Sequence, residues 1–162
     1  MKTFEELKEE LLIRAKNAGA CQLGYAMGLR SNTRADLLKA ITDNWFWVLR
    51  DAKIVDARYL EDNFTEEELS NASIYTKKYH EVRTASFACG SATVKAYGSA
   101  TVKACGSATV KAYDSATVKA YGNSYIEDYI GNIRPESDYA IVKDYHNHKI
   151  YIKKGQFEII EV

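Results

Sequence analysis

Ser91-Ala92-Thr93-Val94-Lys95-Ala96-Tyr97-Gly98 is followed by three further copies, at residues 99–106, 107–114 and 115–122. Only the last two positions vary: Cys105 stands for tyrosine in one copy and Asp114 for glycine in another. Because the period is even, a two-fold alternation stays in phase along the whole run. Ala92, Val94, Ala96 and Gly98 fall on one side, and Ser91, Thr93, Lys95 and Tyr97 fall on the other. That is the pattern of β-strands with one buried face. Tandem repetition at a fixed period predicts stacking into a solenoid.

One octad cannot close a coil. Two octads give a two-sided, 16-residue coil, and three give a three-sided, 24-residue one. Cys89 and Cys105 are 16 apart and fall in one column at the shorter period, with Tyr97, Tyr113 and Tyr129 in another. In a three-octad coil each cysteine would stack on a tyrosine. Small inner residues also suit a thin two-sided core. Degenerate units flank the clear ones. Upstream, 83–90 keeps Ala88, Cys89 and Gly90 in phase; downstream, 123–130 keeps Ile126 and Tyr129. Six octads make three coils.

The fold class read from the chain is α+β, in three parts. Residues 1–80 form a helical domain that caps the start of the solenoid, 81–130 the octapeptide-repeat solenoid, and 131–162 a β-rich C-terminal cap. Thr3 with Glu6, and Thr65 with Glu68, have the spacing of capping boxes. Phe4, Leu7, Leu11, Leu12 and Ala15 recur at helical spacing, Gly19 can end that helix, and Thr33 can start another. Trp45, Phe46, Trp47, Val48 and Leu49 form an apolar block read as buried helix. The runs 139–145, 149–153 and 157–162 are β-rich.

Charge and motifs exclude more than they assign. Twenty-two basic and 22 acidic residues cancel, so no whole-molecule field draws the chain to nucleic acid or membrane. No apolar run approaches the ~20 residues that span a bilayer. The charged N-terminal stretch is no signal peptide, and the expected location is cytoplasmic. Three cysteines make no disulfide framework, and Cys21 reads as core. His146 and His148 are two ligands where a metal site needs three or four. No catalytic set, metal site or cofactor motif is assigned.

What the repeat offers is a surface. Its outward rows, Thr93, Lys95, Tyr97, Thr101, Lys103, Thr109, Lys111, Tyr113, Thr117, Lys119 and Tyr121, form the candidate binding residues. They point to a non-enzymatic protein-binding role, with the chain a monomer or a closed homodimer. Nucleic acid binding through the lysines is the alternative: residues 91–122 carry four lysines against one acid, Asp114, but no arginine.

Tyr97-Gly98-Ser99-Ala100-Thr101 and its copies resemble the repeats of bacterial ice-nucleation proteins. The resemblance implies a flat β-solenoid, and it carries a self-assembling or ice-binding-like structural role as a further alternative. The octad is also similar to repeats in uncharacterised proteins of bacteriophages and gut bacteria. Gly19-Ala20-Cys21-Gln22-Leu23-Gly24, followed by the apolar block at 45–49, resembles a small helical module of the same proteins. That likeness implies a mobile-element setting. It gives the binding role its concrete form, an inhibitor or adaptor on a host macromolecular complex such as a nucleic-acid-targeting defence system.

Overall fold

The computed structural model describes residues 1–137 and 139–162; Asp138, within the C-terminal segment, lies outside them. The chain divides between Ile74 and Tyr75 into a helical unit and a solenoid unit.

The helical unit contains α1 (Phe4–Asn17), α2 (Gln22–Arg30), α3 (Arg34–Asp43), a π-helical turn (Trp47–Asp51), α4 (Ala57–Asn63) and α5 (Glu66–Asn71). Three of these start at reciprocal capping boxes: Thr3 with Glu6, Thr33 with Asp36 and Thr65 with Glu68. Each pairs a threonine hydroxyl with the third backbone amide, while that residue's carboxylate returns to the cap amide, so two orphan donors are satisfied together. Leu7, Leu38, Leu60 and Phe64 fill the core. Arg34 ties α3 to α5, donating to Glu68 Oε1 at 2.9 Å and to the Asn63 carbonyl. Cys21 is exposed rather than core. It precedes α2 as its N-cap, and its Sγ accepts from Gly24 N at 3.4 Å. It therefore lies outside the helical period that would have carried it inward.

The solenoid unit is two parallel sheets face to face. Its strands are β1 (Ile74–Tyr75), β2 (Tyr79–Val82), β3 (Ser86–Ala88), β4 (Thr93–Ala96), β5 (Thr101–Ala104), β6 (Thr109–Ala112), β7 (Thr117–Ala120), β8 (Tyr125–Asp128), β9 (Ile141–Asp144) and β10 (Lys149–Tyr151). One sheet runs β1-β3-β5-β7 and the other β10-β9-β8-β6-β4-β2. Thr93 pairs with Thr109 and Thr101 with Thr117, so each coil takes two octads. Ala96, Val94, Val102, Ala104, Val110 and Ala112 are fully buried between the sheets.

At the corners of the octad run the chain reverses through a left-handed residue. Gly90, Gly98, Gly106, Asp114 and Gly122 all have φ near +60°. Corners on one edge are roomy and those on the other are not. A Cβ on Gly98 would touch nothing within 4 Å, whereas one on Gly122 would lie 3.0 Å from Gly106 N and 3.2 Å from Gly106 O. Asp114 holds the roomy conformation with a side chain, and its Oδ2 accepts from Gly98 N one coil away at 2.8 Å. Gly98→Ala is therefore expected to cost about 1–2 kcal/mol, the left-handed penalty alone. Gly122→Ala is expected to add an overpacking cost of about 1–3 kcal/mol. Urea midpoints of the two variants check this, and equal losses would contradict it.

The solenoid is longer than the repeat. β2 pairs in parallel with β4, placing His80 beside Val94 and Val82 beside Ala96, so Tyr79 and His80, expected in the helical domain, belong to the sheet. At the other end, β9 pairs in parallel with β8, with Tyr125 beside Ile141. Residues 141–144 are thus a further rung rather than part of a separate cap. About four coils result instead of three. The C-terminal rung keeps the two-octad spacing, Tyr125 to Ile141, whereas β2 lies 14 residues before its partner β4, and the backbone ladder accepts both. What closes the six-stranded sheet is β10, antiparallel to β9. On the four-stranded side Pro135 bridges Ala120 beside the edge strand β7, and Glu136 N donates to Ala120 O at 3.0 Å. A proline at an edge offers no donor for another strand. Residues 157–162, β-rich in sequence, form no strand.

A candidate binding face on the six-stranded sheet

Register assembles the outward residues into rows. On the six-stranded sheet, Arg83 lies next to Tyr97, and the row continues through Tyr113 and Tyr129 to Tyr145. The tyrosine rings are stacked, with centroids 5.1, 4.6 and 4.8 Å apart and planes within 14° of parallel. Arg83 Cζ sits 5.3 Å from the Tyr97 centroid, so a cation closes one end of the stack. Offset aromatic pairs contribute about 0.5–1.5 kcal/mol each beyond area burial. The stack is therefore rigid as well as flat.

Beside it runs a mixed-sign row: Glu81, Lys95, Lys111, Glu127 and Lys143, each one rung from the next. Lys111 Nζ meets Glu127 Oε2 at 2.9 Å, and the Tyr129 hydroxyl donates to the same oxygen at 3.0 Å. Burial pushes the Glu127 carboxyl up, but the hydrogen bonds from Lys111 and Tyr129 outweigh it and hold it below its ordinary range. Glu127 in turn holds the Lys111 ammonium above its usual range. Tyr79 and Tyr145 do the same for Lys95 and Lys143, whose Nζ atoms lie 5.4 and 4.5 Å from those rings. Burial in the stack, with Glu127 beside it, raises the Tyr129 phenol. A third row places Tyr79, Thr93, Thr109, Tyr125 and Ile141 in line.

The Lys111–Glu127 pair has a pH signature. A carboxyl held below its unfolded value contributes stability that is complete above about pH 4.3 and is lost as pH falls through its folded value. A raised lysine contributes stability that is complete below about pH 10.4 and is lost as pH rises through its folded value. Glu127→Gln is therefore expected to flatten both limbs of a plot of unfolding temperature against pH. Part of the acid limb should remain, because burial, which raises the Asp144 carboxyl, is outweighed by hydrogen bonds from Asn147 and the His146 backbone that hold it low as well. Superimposable profiles for variant and parent would refute the pair's contribution.

The eleven residues singled out from the repeat do not share one surface. Thr93, Lys95, Tyr97, Thr109, Lys111 and Tyr113 face outward on the six-stranded sheet. Thr101, Lys103, Thr117 and Lys119 lie on the four-stranded sheet, with Tyr121 at its edge. The octad is half a coil, so successive copies alternate between faces and the four lysines divide two and two. On the second face Lys103 lies 5.2 Å from the Phe87 ring, and Lys119 follows Lys103 in register. Cys89 and Cys105, read as outward replacements for tyrosine, are buried, at 2% and 5% exposure. The repeat also failed to flag Glu81, Arg83, Glu127, Lys143 and Tyr145, which complete the rows of the first face. The signal for the last was present: Tyr145 falls two octads beyond Tyr129.

His146 and His148 lie in the turn between β9 and β10, where Asn147 Nδ2 donates to Asp144 Oδ2 at 2.9 Å. Among the described residues no helix is long and apolar enough to cross a membrane. No family model, curated protein or solved structure matches the chain.

Proposed function

We propose that the chain is a non-enzymatic binding protein whose contact surface is the six-stranded face of the solenoid. The observation that supports this most is the row of four stacked tyrosines ended by Arg83. Tyrosine and arginine are enriched at interfaces and at their energetic hot spots. A pre-stacked row loses little side-chain entropy when a partner covers it. The partner is a protein. The mixture of lysine and glutamate beside the tyrosines suits a partner with mixed charge better than a uniform phosphate backbone, which favours a single-sign track. The chain acts as an inhibitor or adaptor on a macromolecular complex, in the mobile-element setting that the repeat resemblance implies.

The test is affinity purification of the tagged chain from a phage-infected bacterial host, with and without nuclease, followed by mass spectrometry. A stoichiometric protein that survives nuclease is expected, and Tyr113→Ala/Tyr129→Ala should lose it while Lys103→Ala/Lys119→Ala keeps it. Circular dichroism confirms that each variant is folded. Nucleic acid co-purifying, with all proteins lost after nuclease, would replace this reading by the nucleic-acid one. Retention of the partner by the tyrosine variant would move the contact off this face.

A further inference from the structure

The helical unit contains an apolar cavity of about 200 Å³ that is partly open to solvent. It is walled by Leu11 and Leu12 of α1, by Gly24, Tyr25 and Gly28 of α2, by Ile41 of α3 and by Trp47 of the π-helical turn. Three observations set it apart from a packing defect. The first is α2 itself. Between Gln22 and Arg30 it carries only apolar residues, glycine and tyrosine, yet none of its residues is buried. Its inner side meets α1 closely at Gly28, where an added Cβ would lie 3.3 Å from Leu12 Cδ2, and residues 24–28 are only half-buried. The second is the π-helical turn Trp47–Asp51, which widens the backbone where Trp47 and Val48 enter the wall. Such turns occur frequently at functional sites.

The third is Asn44, an amide in an otherwise apolar wall. Its Nδ2 donates to Ala40 O at 2.9 Å and lies 3.7 Å from Met27 Sδ, which fixes the orientation of the amide. Among the described residues nothing donates to Oδ1. That oxygen lies 3.4 Å from where a Cβ on Gly24 would be, so the missing side chain at Gly24 leaves room beside it. Asn44 is half-buried, so Oδ1 is an acceptor that a ligand in the cavity can reach. An apolar cavity of ~150 Å³ stays dry and accepts benzene; one of this size has room for a fused bicyclic ring.

We propose that this cavity is a binding site for a small neutral aromatic molecule of about indole size that carries one N–H or O–H donor. The ring lies among Leu12, Tyr25, Ile41 and Trp47, and the donor is given to Asn44 Oδ1. The site is independent of the tyrosine face.

Indole and benzofuran, which differ in replacing the ring N–H by oxygen, are titrated into the full chain by calorimetry, with saturation-transfer NMR as a second readout. One saturable indole site at about 1 mM or tighter is expected. Benzofuran should bind about five-fold more weakly, as one hydrogen bond implies, and Asn44→Ala should bring the two ligands level. Ala40→Leu and Ala15→Leu fill the cavity from α3 and α1 and should each abolish binding while leaving the unfolding temperature unchanged or higher. If one of them fails to fold, the other decides. The proposal is overturned if the parent shows no saturable indole binding, if a folded cavity-filled variant binds indole as the parent does, or if the parent binds benzofuran as well as indole.

Discussion

Replacing Asp128 by alanine is expected to destabilise the solenoid by about 3 kcal/mol. Asp128 follows Val82, Ala96 and Ala112 in one inward column that ends at Asp144, and it is fully buried. Its carboxylate accepts three backbone amides. Oδ1 takes Ile130 N at 2.8 Å and Gly131 N at 2.9 Å, and Oδ2 takes Ile133 N at 2.8 Å. These bonds turn the chain after β8, where the octad stops, and hold residues 130–133 in place of a regular strand. Alanine fits the column, so the variant removes the acceptor without overpacking. Each orphaned buried donor costs about 1–3 kcal/mol, less where water can reach it. Only the Ile133 amide bond is fully buried; the other two are partly so. That brings the sum to about 3 kcal/mol rather than the upper limit. Asp128→Asn should lose less, because one carbonyl oxygen still serves Ile130 and Gly131 while its NH₂ faces the Ile133 donor. Chemical denaturation gives the energies, and faster hydrogen exchange at the amides of 130, 131 and 133 localises them. A loss below about 0.5 kcal/mol, the range of an ordinary surface change, would show that the turn holds itself.

Much of this architecture is legible in the sequence, and the illegible parts share a cause. Strict alternation in the octad sets the faces, and the Cys89–Cys105 spacing selects a two-octad coil over a three-octad one. The parallel register of Thr93 with Thr109 then follows from backbone geometry. β2 was missed because it pairs with β4 at an offset of 14 residues, out of phase with the octad, and β9, read as β-rich, was assigned to a cap because the octad run stops before it. His80 stands in the inward column of Val94, Val110 and Ile126 without repeating the octad valine, whereas Val142 repeats it. The division of the lysines between two sheets is implicit in a two-octad coil. The charge balance of the first face is not, because Glu81 and Glu127 lie outside the clear repeats. Residues 157–162 show the converse limit: they are rich in apolar and β-branched residues, yet they join neither sheet. The cavity beside Asn44 was invisible for another reason. Leu12, Ile41 and Trp47 each read as core by periodicity, and the space among them is set by how three helices and a π-helical turn approach one another.

Deleting residues 99–114 should yield a shorter protein that still folds, whereas deleting residues 107–114 alone should not. The first deletion removes one whole coil. Val94 would then be followed one rung later by Ile126 on the same sheet, and Tyr97 by Tyr129 in the same row, so core, corners and outward rows all keep their partners. The corner glycines stay aligned, and only one nearest-neighbour interface is lost from a quasi-one-dimensional stack. The second deletion removes half a coil. Every strand after it moves to the opposite sheet. The turn anchored by Asp128 would fall on the edge that carries Gly90 and Gly106, where a Cβ on Gly106 already meets the Gly90 amide at 3.3 Å. Pro135 and the β7 edge it flanks would be carried together to the other sheet, and Tyr129 and Tyr145 would be separated from Tyr97. The inward alternation survives, because the octad is even, and that makes the comparison informative: both deletions preserve binary pattern and differ only in sheet phase. The whole-coil deletion is expected to remain soluble with one cooperative thermal transition at reduced temperature. The half-coil deletion is expected to lose cooperative unfolding and to aggregate through its misplaced edge. Equal behaviour of the two would mean that the ends are indifferent to phase and that the octad, not the two-octad coil, is the unit of folding.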